Sequence, residues 1–327
     1  MLRYLAITQK TCDVTTGVTL DYPSDGSSLW LFLTSPTPEE IQSVTKTFQL
    51  DPKLFYDYRR QVRSKRYTTS PLQFVMVDYF LDAYANIKKT NILIIIKKNV
   101  FITVIPDRHK NYEDLYDEIV EDIKHYEKTE RNIGQVLYEF LDRDVQENYD
   151  VLKTTEEDIV EIEKLILSDG AITGNVSKLL QHKKDLSAMS RRFWATAKII
   201  FLIKKGLISI AVSQRTLRLL DDVYDTFQHQ ITIIASQRDM LGDALTLYET
   251  ALSNKLAKSS NELNHIMKTL TSLTLLVMIP TLIASVYGMN FAIIPGANST
   301  TGFYEAIGMM LLSGLLLYIL FHRKKWI

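Results

Sequence analysis

The residues best placed to do chemistry lie near the end of the chain, in Ser285-Val286-Tyr287-Gly288-Met289-Asn290-Phe291. This stretch closes a long apolar run, and no Asp, Glu, Lys or Arg intervenes between Lys268 and Glu305. Walking back from Gly288 by alternate threes and fours meets Ser285, Thr281, Met278, Thr274, Thr271, Met267 and Asn264. Such positions share one stripe of a helix, while Leu273, Leu275, Leu276, Ile279, Leu282, Ile283 and Val286 take its other faces. A stripe of small and hydroxyl side chains suits close helix packing or the wall of a wet bore. Two spans of one chain cannot enclose a bore, so the second use requires several copies. The end of such a helix carries unpaired carbonyls and partial negative charge. Gly288 is expected to stop the helix by taking positive φ, and Asn290 adds a neutral amide oxygen. Neutral oxygens suit a cation that keeps its waters, as Mg²⁺ does, better than a tight carboxylate cage.

The elements that must position this stripe follow from charge and periodicity. TLTSLTLLVMIPTLIASVY and IGMMLLSGLLLYILF flank the loop FAIIPGANSTTG. Roughly 20 apolar residues span a bilayer as a helix, so these read as a membrane hairpin, with spans at about 269–288 and 303–321, rather than the buried hairpin of a soluble core. Lys268 precedes the first span, Arg323, Lys324 and Lys325 follow the second, and the loop holds no Lys or Arg. Basic flanks stay inside, which puts both termini in the cytoplasm and Gly288-Met289-Asn290 outside. From about Leu207 to Tyr287 only Pro280 and Gly242 interrupt a helical pattern. At about 1.5 Å per residue that run would reach about 120 Å. Within it Ser253–Ser259 is echoed by Ser260–Ile266, a seven-residue unit that nearly preserves the helix face.

Upstream, residues 1–110 alternate strand and helix signals. Leu29–Leu33, Phe74–Leu81, Asn91–Lys97 and Val100–Ile105 read as strands, the last two as a hairpin about Lys98-Asn99. Thr37-Pro38-Glu39-Glu40 reads as a capping box with proline in the first turn, and Asp51-Pro52 opens a short helix. Residues 111–268 read as a helical stalk. Its first part, Glu113 to Glu163, holds about 18 acids and about 5 bases, either a solvated face or a surface that concentrates cations. A break is expected at Asp169-Gly170, then a basic helix with Lys183-Lys184, Arg191-Arg192 and Lys204-Lys205 until Gly206.

Composition narrows the classes. The 327 residues carry 38 basic and 38 acidic side chains, a balance that argues against nucleic acid as a partner. One cysteine, Cys12, offers neither a disulfide framework nor metal-ligand spacing, and the N-terminus lacks a signal-peptide h-region. There is no phosphate-cradling glycine loop, no Gly-x-Ser-x-Gly and no His/Cys metal spacing, so no catalytic residue and no resident cofactor are expected.

Tyr287-Gly288-Met289-Asn290-Phe291, after a proline-containing span and before a second span with a basic end, resembles the CorA family of magnesium and divalent-cation transporters. Asn264–Leu270 is similar to that family's inner pore entrance, and Asp222–Asp225 to part of its stalk. The resemblance implies an α+β membrane protein: an N-terminal cytoplasmic α/β domain, a long helical stalk and two C-terminal transmembrane helices, assembled as a homopentameric funnel. It implies Mg²⁺ uptake with Co²⁺ and Ni²⁺ accepted, and Mg²⁺ inside the cell as the closing signal. It places Gly288, Met289 and Asn290 at the selectivity filter, Asn264 at the inner entrance, and Met267 and Leu270 at a hydrophobic constriction. Thr274, Met278, Thr281 and Ser285 fall along the bore, and Arg323, Lys324 and Lys325 on a basic ring at its inner mouth. Asp82 and Asp222 match regulatory metal ligands, with Asp78 and Asp225 as rivals.

The sequence departs from the family pattern in the loop after Asn290, whose only carboxylate is Glu305, and in the tandem unit of residues 253–266. A ZntB-like branch that also carries Gly-Met-Asn makes proton-coupled Zn²⁺ transport the nearest alternative. A membrane-anchored scaffold that transports nothing is the alternative from another class, and the hydroxyl stripe speaks against it.

Overall fold

The computed structural model describes residues 1–18, 27–82, 84, 86–106, 110–167, 172–290, 294–296 and 299–327. The expected break at Asp169-Gly170 and Phe291 lie outside the described residues. The chain divides into two compact units, Met1–Leu247 and Tyr248–Ile327.

In the first unit seven described strands form one sheet: β1 (Leu2–Ile7), β2 (Val14–Gly17), β3 (Ser28–Thr34), β4 (Lys65–Thr69), β5 (Leu72–Leu81), β6 (Ile87–Lys97) and β7 (Val100–Ile105). Their order is β2-β1-β3-β7-β6-β5-β4. The β3–β7 pair is parallel and every other pair antiparallel. The Ser-Leu-Trp-Leu-Phe-Leu-Thr run of β3 is buried along its whole length, as a strand covered on both faces must be. One face is covered by α1 (Pro38–Phe48) and α2 (Leu54–Asp57), whose Ile41, Val44, Leu54 and Phe55 join Leu31, Leu33, Leu93 and Ile95 in one core. Against the other face lie α3 (Lys110–His125), α4 (Ile133–Leu167) and α5 (Ile172–Lys204). There Trp30 packs on Phe101 and Tyr116 and donates its indole N–H to Thr103 at 3.2 Å.

The box at Thr37 forms in both directions, with Glu40 N to Thr37 Oγ1 at 3.3 Å and Thr37 N to Glu40 Oε2 at 2.9 Å. Glu40 also accepts from Leu2 N at 3.0 Å, so one carboxylate caps α1 and holds the start of β1. Strands β1, β2 and β4 have no counterpart in the sequence reading. β2 is four residues long and β4 mostly exposed, too short or too wet to show an alternating apolar pattern.

The long helix α6 runs Gln214–Tyr287, 74 residues with Pro280 inside. It starts later than the pattern from about Leu207 implies. α5 ends at Lys204, Gly206 just beyond it turns the chain in left-handed conformation at φ 67, and Ser213 then caps α6 by accepting Thr216 N at 3.0 Å. Residues 207–213 between them bridge Ile210 to Lys98. Within the first unit α6 runs parallel to α4, and two buried amides stitch them. Gln230 Nε2 donates to Val145 O at 2.7 Å and Gln237 Nε2 to Leu152 O at 2.8 Å, seven residues on along both helices.

The second unit holds the end of α6 and α7 (Gly302–Arg323). Among the described residues these are the two helices long and apolar enough to cross a membrane, and their apolar stretches are almost wholly exposed. α7 ends in a tight reversal. Lys325 sits at φ 55, Lys325 N bonds His322 O at 3.1 Å and Trp326 N bonds Phe321 O at 3.0 Å. These are the two bonds of a Schellman cap, and the Phe321 and Trp326 rings stack at 5.7 Å. The Trp326 carbonyl accepts Thr269 Oγ1 at 3.3 Å, tying the tail to α6.

Candidate functional site

The stripe foreseen on α6 is a real face of the helix. Asn264, Met267, Leu270, Thr271, Thr274, Met278, Thr281, Ser285 and Gly288 are all exposed. Thr274, Val277, Met278, Thr281, Leu282 and Ser285 line an open groove. At about 100° per residue, Thr274, Met278, Thr281 and Ser285 fall within an arc of about 60°. The buried or half-buried positions Ser272, Leu275, Leu276, Ile279, Pro280, Ile283 and Tyr287 centre about 170° from them. The side of α6 that the unit itself covers is therefore opposite the hydroxyl stripe, which is left for something outside the chain to cover.

The hydroxyls are less demanding than their polarity implies. Thr274 Oγ1 donates to Leu270 O at 2.8 Å and Thr281 Oγ1 to Val277 O at 2.7 Å. Each proton is satisfied inside its own helix, so the stripe does not require water to be folded. What remains free is the lone pairs of the hydroxyl oxygens, which are acceptors and face a cation correctly. Pro280 has no N–H, so the Leu276 carbonyl lacks its helical donor.

At the outer end one expectation needs correction. Gly288 is not left-handed: its N–H continues the helix to Ala284 O at 2.9 Å, and the glycines at positive φ among the described residues are Gly206 and Gly296. Its lack of a side chain matters sterically instead. A Cβ there would meet Ala284 O at 3.3 Å and Ser285 O at 3.6 Å, the carbonyls at the helix end. Met289 N closes a final turn on Val286 O at 3.3 Å, and Met289 and Asn290 are exposed. Glu305, in the first turn of α7, accepts Thr301 Oγ1 at 2.8 Å. Arg323, Lys324 and Lys325 are all exposed on the reversal after α7, with Lys324 Nζ over the Trp326 ring at 5.9 Å.

The proposed regulatory carboxylates have different settings. Asp82 is engaged locally, accepting Tyr84 N and Asn86 N at 2.9 Å each, with Lys88 Nζ at 3.6 Å. These bonds, the Asn86 backbone N–H foremost, hold its carboxyl below the usual range. Asp222 and Asp225 are exposed on α6. Among the described residues no group of three or more His, Cys, Asp or Glu is poised to hold a metal. Asp78, the rival to Asp82, belongs elsewhere altogether.

Asp78 sits in a buried ion-pair network that the sequence did not reveal. Arg192 of α5, 1% exposed, donates Nη1 to Asn148 Oδ1 at 2.6 Å and Nη2 to Asp78 Oδ1 at 3.0 Å. It also pairs with Asp144 Oδ1. Tyr112 Oη donates to Asp78 Oδ2 at 2.6 Å. One guanidinium thus binds β5, α4 and, through Asp78, α3. Burial first, and the neighbouring Asp78 next, push Glu147 up to about 7. Burial likewise drives Asp144 well above the carboxylate range against the pull of Arg192. The signal was available: Arg192 falls in helical step with the buried Met189 and Thr196, but next to Arg191 it reads as one more surface charge.

With this geometry in place, known proteins give context. The sequence profile of the family described as CorA-like Mg²⁺ transporter protein matches residues 25–323. A cobalt/magnesium transport protein CorA of Methanocaldococcus jannaschii is 25% identical over 303 residues, covering 91% of each chain. A magnesium transport protein CorA of Wolinella succinogenes is 22% identical over 317 residues, covering 93% of this chain and 92% of that one. Among solved structures, the complete CorA magnesium transporter of M. jannaschii superposes with a TM-score of 0.70 at 20% identity, over 100% of this chain and 99% of that one. The full-length CmaX protein does so at 0.67 and 11% identity, over 100% and 98%. The structural likeness extends over the sheet, the long helix and both apolar helices, and the sequence match over nearly the whole length: the chain belongs to the CorA-like Mg²⁺ transporter family.

Proposed function

We propose that this protein carries divalent metal cations across a membrane, Mg²⁺ foremost and Co²⁺ or Ni²⁺ as further cargo. The observation that carries this reading is the hydroxyl stripe of α6. It lies opposite the helix's buried face and runs to an exposed Gly288-Met289-Asn290 at the helix end. Several copies, five by family resemblance, would bring their stripes together around one path. In that path Asn264 stands at the inner entrance and Met267 and Leu270 form an apolar constriction able to gate by dewetting. Thr274, Met278, Thr281 and Ser285 line the bore, and Gly288, Met289 and Asn290 select at the outer mouth. Arg323, Lys324 and Lys325 ring the inner mouth, with both termini in the cytoplasm. Intracellular Mg²⁺ on Asp82 of one copy and Asp222 of the next favours the closed state. The relatives whose names state cobalt or magnesium transport support the choice of cargo.

The test is Mg²⁺ flux into liposomes holding the full chain, with Co²⁺, Ni²⁺ and Zn²⁺ as competitors. Asn290→Ala is expected to lower Mg²⁺ flux at least tenfold or to change the order of competition. Flux and selectivity both equal to wild type would overturn the assignment. A wild-type chain that passes no divalent ion would leave the hairpin as an anchor, and flux of Zn²⁺ alone, driven by a pH gradient, would move the cargo to zinc.

A further inference from the structure

Between Asp51 and Asp78 the chain holds six bases and one acid, Asp57. Five of the bases fall within eight residues: Arg59, Arg60, Arg63, Lys65 and Arg66. All five are exposed, and among the described residues none of them pairs with a carboxylate. Val62, between Arg60 and Arg63, is 85% exposed, so the crest of this segment stands clear of the fold.

The main chain of the segment is fixed although its side chains are in water. Tyr58–Arg60 form one 3₁₀ turn directly after α2. Asn91 of β6 reaches across it and donates Nδ2 to Tyr58 O at 2.8 Å, Gln61 O at 3.0 Å and Arg59 O at 3.2 Å. Ser64 Oγ accepts Val77 N of β5 at 3.2 Å. Lys89, exposed and two residues from Asn91, lies on the same face of β6. One use of such charge is to guard a sheet edge, and β4 is an edge strand; edges are kept from pairing by charged side chains, lysine above all. That accounts for Lys65 and Arg66. It accounts neither for Arg59, Arg60 and Arg63, which precede the strand, nor for the clasp by Asn91. Four of the five cations are arginine, whose planar fork takes phosphate oxygens in pairs, and a dense run of basic residues concentrates polyanions.

We propose that the Arg59–Arg66 segment is a binding site for clustered phosphate groups, those of a small polyphosphate such as a nucleoside triphosphate. Arg59, Arg60 and Arg63 take the phosphate oxygens pairwise, and Lys89 adds a point charge from β6. Asn91 is a positioning residue: it touches no phosphate and holds the main chain beneath the arginines. Lipid headgroups offer the same chemistry from another source, which the experiment separates. The site makes no use of the membrane-spanning unit and stands apart from the transport reading.

The experiment titrates sodium tripolyphosphate into the full chain in nanodiscs of uncharged phosphatidylcholine, by calorimetry at about 50 mM and about 200 mM salt. EDTA is present so that no divalent ion masks the probe. Arg60→Gln with Arg63→Gln is expected to weaken binding at least about tenfold and to flatten its salt dependence. Asn91→Ala keeps every cation, so it is expected to weaken binding several-fold with the salt dependence unchanged. Lys10→Gln with Lys124→Gln, which removes the same charge from other exposed positions, is expected to change nothing. Equal losses in the arginine and lysine pairs would make the effect one of net charge and overturn the site, as would undiminished affinity in the arginine pair. A parallel arm floats the same nanodiscs with phosphatidylglycerol vesicles. Capture that the arginine pair abolishes, without tripolyphosphate binding, keeps the phosphate site and moves its source to lipid; neither capture nor tripolyphosphate binding overturns the proposal.

Discussion

At the scale of single residues, the largest electrostatic stake is Arg192. A buried guanidinium facing Asp78 and Asp144, with Glu147 close by, has more carboxylates than it can neutralise, and Glu147 stays protonated until about pH 7. The sign follows from linkage. The folded protein binds this proton more tightly than the unfolded chain, whose Glu titrates near 4.3. Stability therefore falls as pH rises from about 4.5 to about 7 and the loss is complete above that. Glu147→Gln, which imitates the protonated form, is expected to raise the melting midpoint of the purified protein by about 2–4 °C at pH 8 and to leave it unchanged at pH 4.5. An equal gain at both pH values would mean that ionisation of Glu147 is not the cause. Residue identity was legible in part here. Gly288 does not make the left-handed turn expected of it, because a sequence shows that a side chain is absent and not which neighbour would have met it. Arg192 was passed over because its type outweighed its helical phase.

At the scale of elements, the strong local signals held and the weak ones did not. The capping box at Thr37, the β6–β7 hairpin and β3 are encoded within about ten residues each and appear where periodicity and cap chemistry put them. β1, β2 and β4 are set by what lies beside them in the sheet, and no window of their own sequence carries that. The α6 stripe was legible because its period spans many turns, yet whether it points away from the helix's own packed face was not, since that depends on where α7 lies. The hydroxyl geometry gives this element its own test. Thr274→Val with Thr281→Val removes two oxygens whose protons already bond within the helix. Folding stability should stay within about 1 kcal/mol of wild type, while Mg²⁺ flux drops several-fold. Unfolding of the double variant would assign the hydroxyls to helix packing, and normal flux in a folded one would put the path elsewhere.

At the scale of the whole molecule, the sorting of charge is the dominant feature, and an overall count of zero conceals it. The same sorting bears on regulation. Asp82 is already held by Asn86, Tyr84 and Lys88, which keeps it ionised and fixed at the end of β5, while Asp222 stands free on α6. Asp82→Ala with Asp222→Ala is expected to raise the internal Mg²⁺ needed for half-inhibition several-fold in the liposome assay. Identical inhibition curves would exclude the pair. The exposure of Trp194 also makes the molecule its own optical probe. The sequence holds three tryptophans. Trp30 is sealed in the sheet at 0% exposure, and Trp326 is half-covered in its stack with Phe321. Trp194 alone lies open on a soluble helix, so iodide quenching reads mainly that one indole. Emission that loses its red, quenchable component under any condition reports burial of this one indole on α5, with no label attached.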